Sequence, residues 1–132
     1  MDHPAVRPYR PMTLVDIAGH LSRAGDDALR WRLIAEFLEE YRWEPAPARL
    51  GLLADEPPPT GSERWDVFLA ALAEHLALGE HRRAPAGAEE RTLATFWFPF
   101  NTPAARADAI VHAPVAFRRR GVYVAPQELA VA

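Results

Sequence analysis

The sequence contains no cysteine and no lysine, and the missing cysteine excludes several kinds of site at once. Without thiols there are no disulfides, no thiolate nucleophile and no zinc site built on thiolates. No apolar run reaches the roughly 20 residues that a membrane-spanning helix needs. Residues 1–11 do not have the pattern of a secretory signal. We therefore expect a cytoplasmic protein.

The charge of the chain is slightly negative and unevenly distributed. Its 132 residues carry a net charge of −3, and all 15 basic residues are arginine. Residues 1–66 hold eight arginines and twelve acids, whereas residues 67–132 hold seven arginines and six acids. Proteins that bind nucleic acid usually present a strongly basic field. The charge balance therefore argues against nucleic acid as the main partner.

Helical spacing of apolar residues dominates the sequence. We predict helices over 13–22, 27–43, 62–78, 88–95 and 102–112, with shorter helical turns at 49–53 and 115–120. Four of these helices follow a side chain suited to an N-cap, namely Thr13, Asp26 or Asp27, Ser62 and Thr102. Residues 122–124 form the one strand-like segment. We expect a mainly α fold, a small orthogonal helical bundle with one short C-terminal strand-like segment.

The domain organisation follows from length and from two proline-rich segments. An apolar share of 49% over 132 residues fits one ordinary folded domain. Residues 1–11 are predicted to be an extended arm, and 54–61 a proline-rich surface loop. A domain boundary at 54–61 is the alternative, but neither half has much core alone. We predict one domain over 1–132, with its core built from 27–43 and 62–78.

The sequence shows no constellation that indicates catalysis, a metal or a cofactor. His75 and His81 are six residues apart, which is not the spacing of a helical zinc site. Ser62 is better explained as a helix cap than as a nucleophile. Adjacent carboxylates on a helix point in different directions, so no acid–base pair is visible. We predict no enzyme activity. A small enzyme or ligand-binding domain with an unrecognised pocket, holding His75, remains an alternative.

Two surfaces are candidates for partner binding. The first is an acidic face on the helix over 27–43, formed by Glu36, Glu39, Glu40 and Glu44. It is either a solvated surface or a docking face for a basic partner.

The second candidate is the segment HAPVAFRRRGVYV at 112–124, in which three arginines stand between Phe117 and Tyr123. Aromatic residues and arginine are enriched in interface hot spots. In the alternative interpretation Phe117 and Val122 anchor the segment, and the arginines pair with local acids. Consecutive arginines cannot all face one way, so at least one should point to solvent.

Two motifs carry a family resemblance. The pairing of FWFP at 96–99 with APVAFRRRGVYV at 113–124 resembles a family of small actinobacterial proteins. A similar segment follows helix-turn-helix regions in regulators that accompany nucleotidyltransferase-type toxins. The resemblance covers roughly the last seventy residues and implies an antitoxin role. Because the helix over 27–43 is apolar and acidic, it is unsuited to reading DNA. The resemblance therefore implies that the chain binds its toxin, not an operator.

We accordingly predict a non-enzymatic, antitoxin-like module that binds and masks a partner protein. The predicted partner-binding residues are Phe117, Arg118, Arg119, Arg120, Tyr123, Trp97 and Phe98. The alternative is a nucleic-acid-associated regulator that uses the arginine cluster at 118–120.

Overall fold

The computed structural model describes residues 10–83 and 91–129. Within these residues the chain forms six α-helices and one short 3-10 helix. They are α1 (Leu14–Arg23), α2 (Asp27–Trp43), α3 (Ala46–Leu53), α4 (Glu63–Gly79), α5 (Pro103–His112), α6 (Val115–Arg118) and the 3-10 helix Pro126–Glu128. The described part of the chain has no sheet, so the prediction of a mainly α-helical bundle is confirmed.

The helix ends follow from local side chains. Thr13 and Asp16 form a capping box at the start of α1, each side chain accepting a hydrogen bond from the other's backbone N–H at 3.1 Å. The side chains of Asp26, Ser62 and Thr102 cap α2, α4 and α5, each accepting a hydrogen bond from the backbone N–H three residues ahead. Each cap satisfies an N–H group that the helix itself leaves without a partner. These four predicted starts are therefore confirmed.

Helix α4 lies at the centre of the bundle and contacts α1, α3 and α6. Its sequence is apolar on most sides, and seven consecutive residues, 67–73, are buried. A helix that is apolar around most of its circumference must be covered by several neighbours. Helix α2 reaches α4 through Trp31, whose ring lies 5.0 Å from that of Trp65 and 5.1 Å from that of Phe68. The core is therefore arranged around α4.

The apolar residues of α2 are only partly buried. Ile34, Phe37, Leu38 and Tyr41 face the core, whereas Leu29 is exposed. Helix α1 covers one side of α2, and Leu29, in the first turn of α2, is 37% exposed.

Residues 91–95 differ from the prediction of a helix over 88–95. They are not helical, and residues 88–90 lie outside the described residues. The backbone N–H of Leu93 donates to the carbonyl of Arg120 at 2.9 Å, and that of Trp97 donates to Gly121 at 2.8 Å. Long-range pairing with the C-terminal segment therefore replaces the local helix. The pairing is completed by one parallel bridge between Trp97 and Val122, which is all that forms of the strand-like segment at 122–124.

Two further predicted segments lie at the edges of the bundle. Residues 54–61 contain no helix or strand, and Pro58 and Pro59 are exposed. Of the predicted arm at 1–11, residues 1–9 lie outside the described residues, and residues 10 and 11 are irregular. The weak helical turn at 49–53 is longer than predicted, because Pro47 is accommodated in the first turn of α3, where its missing N–H costs no hydrogen bond.

Candidate protein-binding surface

The structure places Phe117, a predicted contact residue, in the core. Its side chain is 0% exposed. The ring lies 5.3 Å from that of Phe68 and 5.6 Å from that of His75, both on α4. Helix α6 is only four residues long, so its position depends on this packing. Phe117 therefore anchors the C-terminal segment, as the alternative interpretation of that segment proposed.

The three consecutive arginines differ in their exposure and in the groups to which they bond. Arg118 is exposed and donates to the carbonyls of Ile110 and Val111, at 3.3 and 3.1 Å, at the end of α5. Arg119 makes a two-pronged contact with the Glu74 carboxylate at 2.8 and 2.7 Å. The Arg120 side chain is buried and donates to Glu74 at 2.5 Å. The triplet therefore forms no continuous cationic surface.

The Glu74 carboxylate is the shared partner of Arg119 and Arg120. Burial of its carboxyl would raise the pKa. The hydrogen bonds and charges of Arg119 and Arg120 outweigh that effect, and hold the pKa of Glu74 below its ordinary value. Arg120 also donates to the carbonyl of Ala116 at 2.8 Å. A buried guanidinium is tolerated because a carboxylate and a carbonyl both accept from it.

Trp97 is likewise a core residue, only 7% exposed. Its ring packs against Trp65 at 5.4 Å. The bridge to Val122 and the backbone bond to Gly121 hold it in place. Gly121 has a φ of 83°, a conformation that favours glycine. Trp97 therefore contributes to folding and is not available to a partner.

Phe98 and Tyr123 remain partly exposed and belong to a stack of side chains. Their rings lie 5.1 Å apart and nearly parallel. Phe96, which is 64% exposed, meets Tyr123 edge-on at 5.3 Å. The Arg106 guanidinium covers Phe98 at 4.3 Å. We call Phe96, Tyr123, Phe98 and Arg106 the aromatic stack. Such amphipathic groups present contact area at a low cost in conformational entropy.

An aliphatic patch lies beside the aromatic stack. Ile110, Val111 and Val115 are 54%, 64% and 64% exposed, and we call these three residues the aliphatic patch. Ile110 stands one helical turn after Arg106 on α5, so the patch and the stack adjoin. Four of the seven exposed large apolar side chains in the described residues lie between positions 96 and 115. Arg118, one turn after Val115 on α6, bonds to the carbonyls of Ile110 and Val111, so the three aliphatic side chains lie in one region and differ from ordinary scattered exposure.

The aliphatic patch, Phe96 and Arg106 were not among the partner-binding residues predicted from the sequence. Ala105 and Ala109 face inward on α5, while Ile110 and Val111 face outward. The inner side is thus formed by small residues while the two largest apolar side chains of α5 are exposed, which reverses the usual pattern. The signal in the sequence is that α5 is apolar on both sides, so one side must remain uncovered in a small bundle.

The acidic face of α2 is partly engaged within the chain. Glu40 accepts a hydrogen bond from the backbone N–H of Met12 at 2.6 Å, and Glu39 accepts one from the Trp43 indole at 2.8 Å. Glu36 is exposed, and Glu44 is the half-buried C-cap residue of α2. Glu40 therefore ties the chain before α1 to α2, which is a structural role that the predicted docking face did not include.

His75 packs against Phe117 and is partly buried. Burial lowers the pKa of His75 below its ordinary value of 6.5. Within residues 10–83 and 91–129, no group of three or more metal-ligating side chains converges around it or elsewhere.

The His75 environment predicts a loss of stability at mildly acidic pH. Between pH 6.5 and the lower pKa in the fold, the unfolded chain binds a proton that the folded chain does not. The stability that depends on neutral His75 is therefore complete above pH 6.5. It is lost as the pH falls from 6.5 towards the lower pKa of the folded state. We expect the urea midpoint to decrease from about pH 7.5 to about pH 5.5. In His75→Gln the decrease should be smaller, and an unchanged slope would show that another group is responsible.

Comparisons with protein-family models, with curated proteins and with solved structures found no match to this chain. A search of the described residues for a helix long and apolar enough to cross a membrane also found none.

Proposed function

We propose that this chain is a non-enzymatic protein-binding module that binds and masks a partner protein in the manner of an antitoxin. The observation that carries the proposal is the aliphatic patch next to the aromatic stack. Exposed apolar side chains cost solubility, and on small proteins a contiguous group of them usually marks an interaction site. Arginine and aromatic residues at its edge are the types enriched in interfaces.

The family resemblance of FWFP and APVAFRRRGVYV supplies the kind of partner. It supports a nucleotidyltransferase-type toxin, bound in the cytoplasm. Nucleic acid is the weaker candidate because Arg119 and Arg120 are engaged by Glu74. A phosphate would have to compete with that carboxylate. Three exposed aliphatic side chains also contribute little to phosphate or base recognition.

Affinity purification of the tagged chain from its own host tests this proposal. We expect one stoichiometric protein to co-purify with the unaltered chain. In the double variant Val111→Glu with Val115→Glu, this protein should be lost, because two carboxylates would be desolvated in an apolar interface. Both positions are more than half exposed, so circular dichroism should show an unchanged fold.

Trp43→Glu is the matched control. Trp43 is 70% exposed on α2 and bonds to Glu39 of the acidic face. The Trp43→Glu variant should still retain the partner. Loss of the partner with Trp43→Glu alone would transfer the docking site to the acidic face. Absence of any co-purifying protein would contradict the binding function, and co-purification of nucleic acid alone would favour the regulatory alternative.

A further inference from the structure

We infer that the partner docks an amphipathic helix onto α5, and that the apolar stripe of this helix is bordered by carboxylates. The inference rests on the proposed function and names the chemistry of the surface that binds. Three features of α5 carry it: the spacing of its exposed residues, their sizes, and the charges at the edges of the aliphatic patch.

The exposed residues of α5 follow helical rows. Ala104, Ala107 and Val111 stand at positions i, i+3 and i+7, with Ile110 beside them. The outer side of α5 therefore has the apolar stripe that a helix normally turns toward another helix. Its ten residues give a length of about 15 Å, or nearly three turns. That length matches a few turns of one partner helix.

The sizes of these residues leave room for larger side chains. Ala104 and Ala107 form a low surface over the first two turns, and Ile110, Val111 and Val115 form a raised one at the end. Helices pack by inserting the ridges of one into the grooves of the other. A partner helix with large apolar residues would fill the space over the alanines and contact the raised side chains.

The charges at the edges of the patch are positive. Arg106 lies at the edge shared with the aromatic stack and bonds to the Asn101 side chain at 2.7 Å. Arg118 lies at the end of α5 on backbone carbonyls. In the described residues neither guanidinium forms an ion pair with a carboxylate. Each keeps further N–H donors for an incoming acid.

The acids of the same region do not balance these arginines. Residues 91–123 contain one acid, Asp108, and five arginines, of which Arg91, Arg119 and Arg120 already pair with Glu56 and Glu74. Asp108 accepts hydrogen bonds from Gln127 and His112 and is therefore already engaged. A partner that carries carboxylates beside its apolar stripe would complement this surface in both hydrophobicity and charge.

Two labelled helical peptides of about 18 residues, or five turns, test the inference with the full chain. Both carry the same leucine stripe, flanked by glutamates in one and by lysines in the other. By fluorescence anisotropy at low salt, we expect the glutamate peptide to bind at least about tenfold more tightly. The preference should disappear in Arg106→Gln with Arg118→Gln. It should persist in Arg32→Gln with Arg82→Gln, which removes the same charge from exposed positions elsewhere.

Equal binding of the two peptides, or no binding of either, would overturn the inference. Binding of a labelled single-stranded RNA in place of the glutamate peptide would also overturn it. The proposed function fails separately. If the host partner is retained by Arg106→Gln with Arg118→Gln but lost with Val111→Glu and Val115→Glu, the binding function stands and the acidic-helix inference is wrong. If no partner is captured at all, the function itself is wrong.

Discussion

Phe117→Ala is expected to lower the free energy of unfolding by about 3–5 kcal/mol, the usual cost of removing a buried phenylalanine. The ring is fully buried against Phe68 and His75, and α6 has no other large side chain in the core. Its loss would leave a cavity between α4 and α6. Urea denaturation followed by circular dichroism measures the effect.

Tyr123→Ala is the comparison for that experiment. Tyr123 is only half-buried and stacks on Phe98 near the surface, so it should cost much less stability than Phe117→Ala. The sequence suggested that Phe117 and Tyr123 both belong to one partner-binding surface. The structure separates the two roles. A stable Phe117→Ala variant would show that α6 is held by something other than this packing.

Glu74→Ala is expected to be similarly damaging, at about 3–5 kcal/mol, because it leaves the buried Arg120 guanidinium without its carboxylate. The side chain of Arg120 is 0% exposed, so its charge depends on partners within the protein. The hydrogen bond to the carbonyl of Ala116 would remain. Urea denaturation at neutral pH measures the loss.

Arg119→Gln provides the control, since it removes the exposed partner of the same carboxylate. Its side chain is 41% exposed, and an ion pair of that kind contributes at most about 1 kcal/mol.

The pKa of Glu74 is lowered in the fold, so the contribution of the Glu74 carboxylate to stability is complete above the ordinary value of 4.5. The contribution is lost as the pH falls through the lower folded pKa. Acid should therefore destabilise the unaltered chain more than it destabilises Glu74→Gln. Equal sensitivity would contradict this role of Glu74.

The helices could be read from the sequence because their signals are local. Thr13 and Asp16 lie three residues apart, and the capping side chains of Asp26, Ser62 and Thr102 also bond three residues ahead. A pattern confined to one turn is visible without knowledge of the rest of the chain. For the same reason the positions of α1, α2, α4 and α5 agree with prediction to within a residue or two.

The candidate site could be predicted only in part, because the contacts that form it are not local. Glu74 lies 46 residues from Arg120, and nothing in the triplet itself indicates which arginine will be buried. Leu93 bonds to the carbonyl of Arg120, which removes residues 91–95 from the helix that their composition favours. In each case the deciding contact joins segments far apart in sequence. Propensity is too weak to prevail over such pairing.

The sequence by itself determined the helical class, the helix starts and the lack of cysteine chemistry, all of which depend on composition or on neighbours within a turn. Only the tertiary structure decided which apolar side chains face water. Helix α5 is apolar on both sides, and the side that carries Ala105 and Ala109 packs inward. Ile110 and Val111 are consequently exposed. Burial is a property of the whole packed chain, so the surface proposed to bind a partner was set by packing.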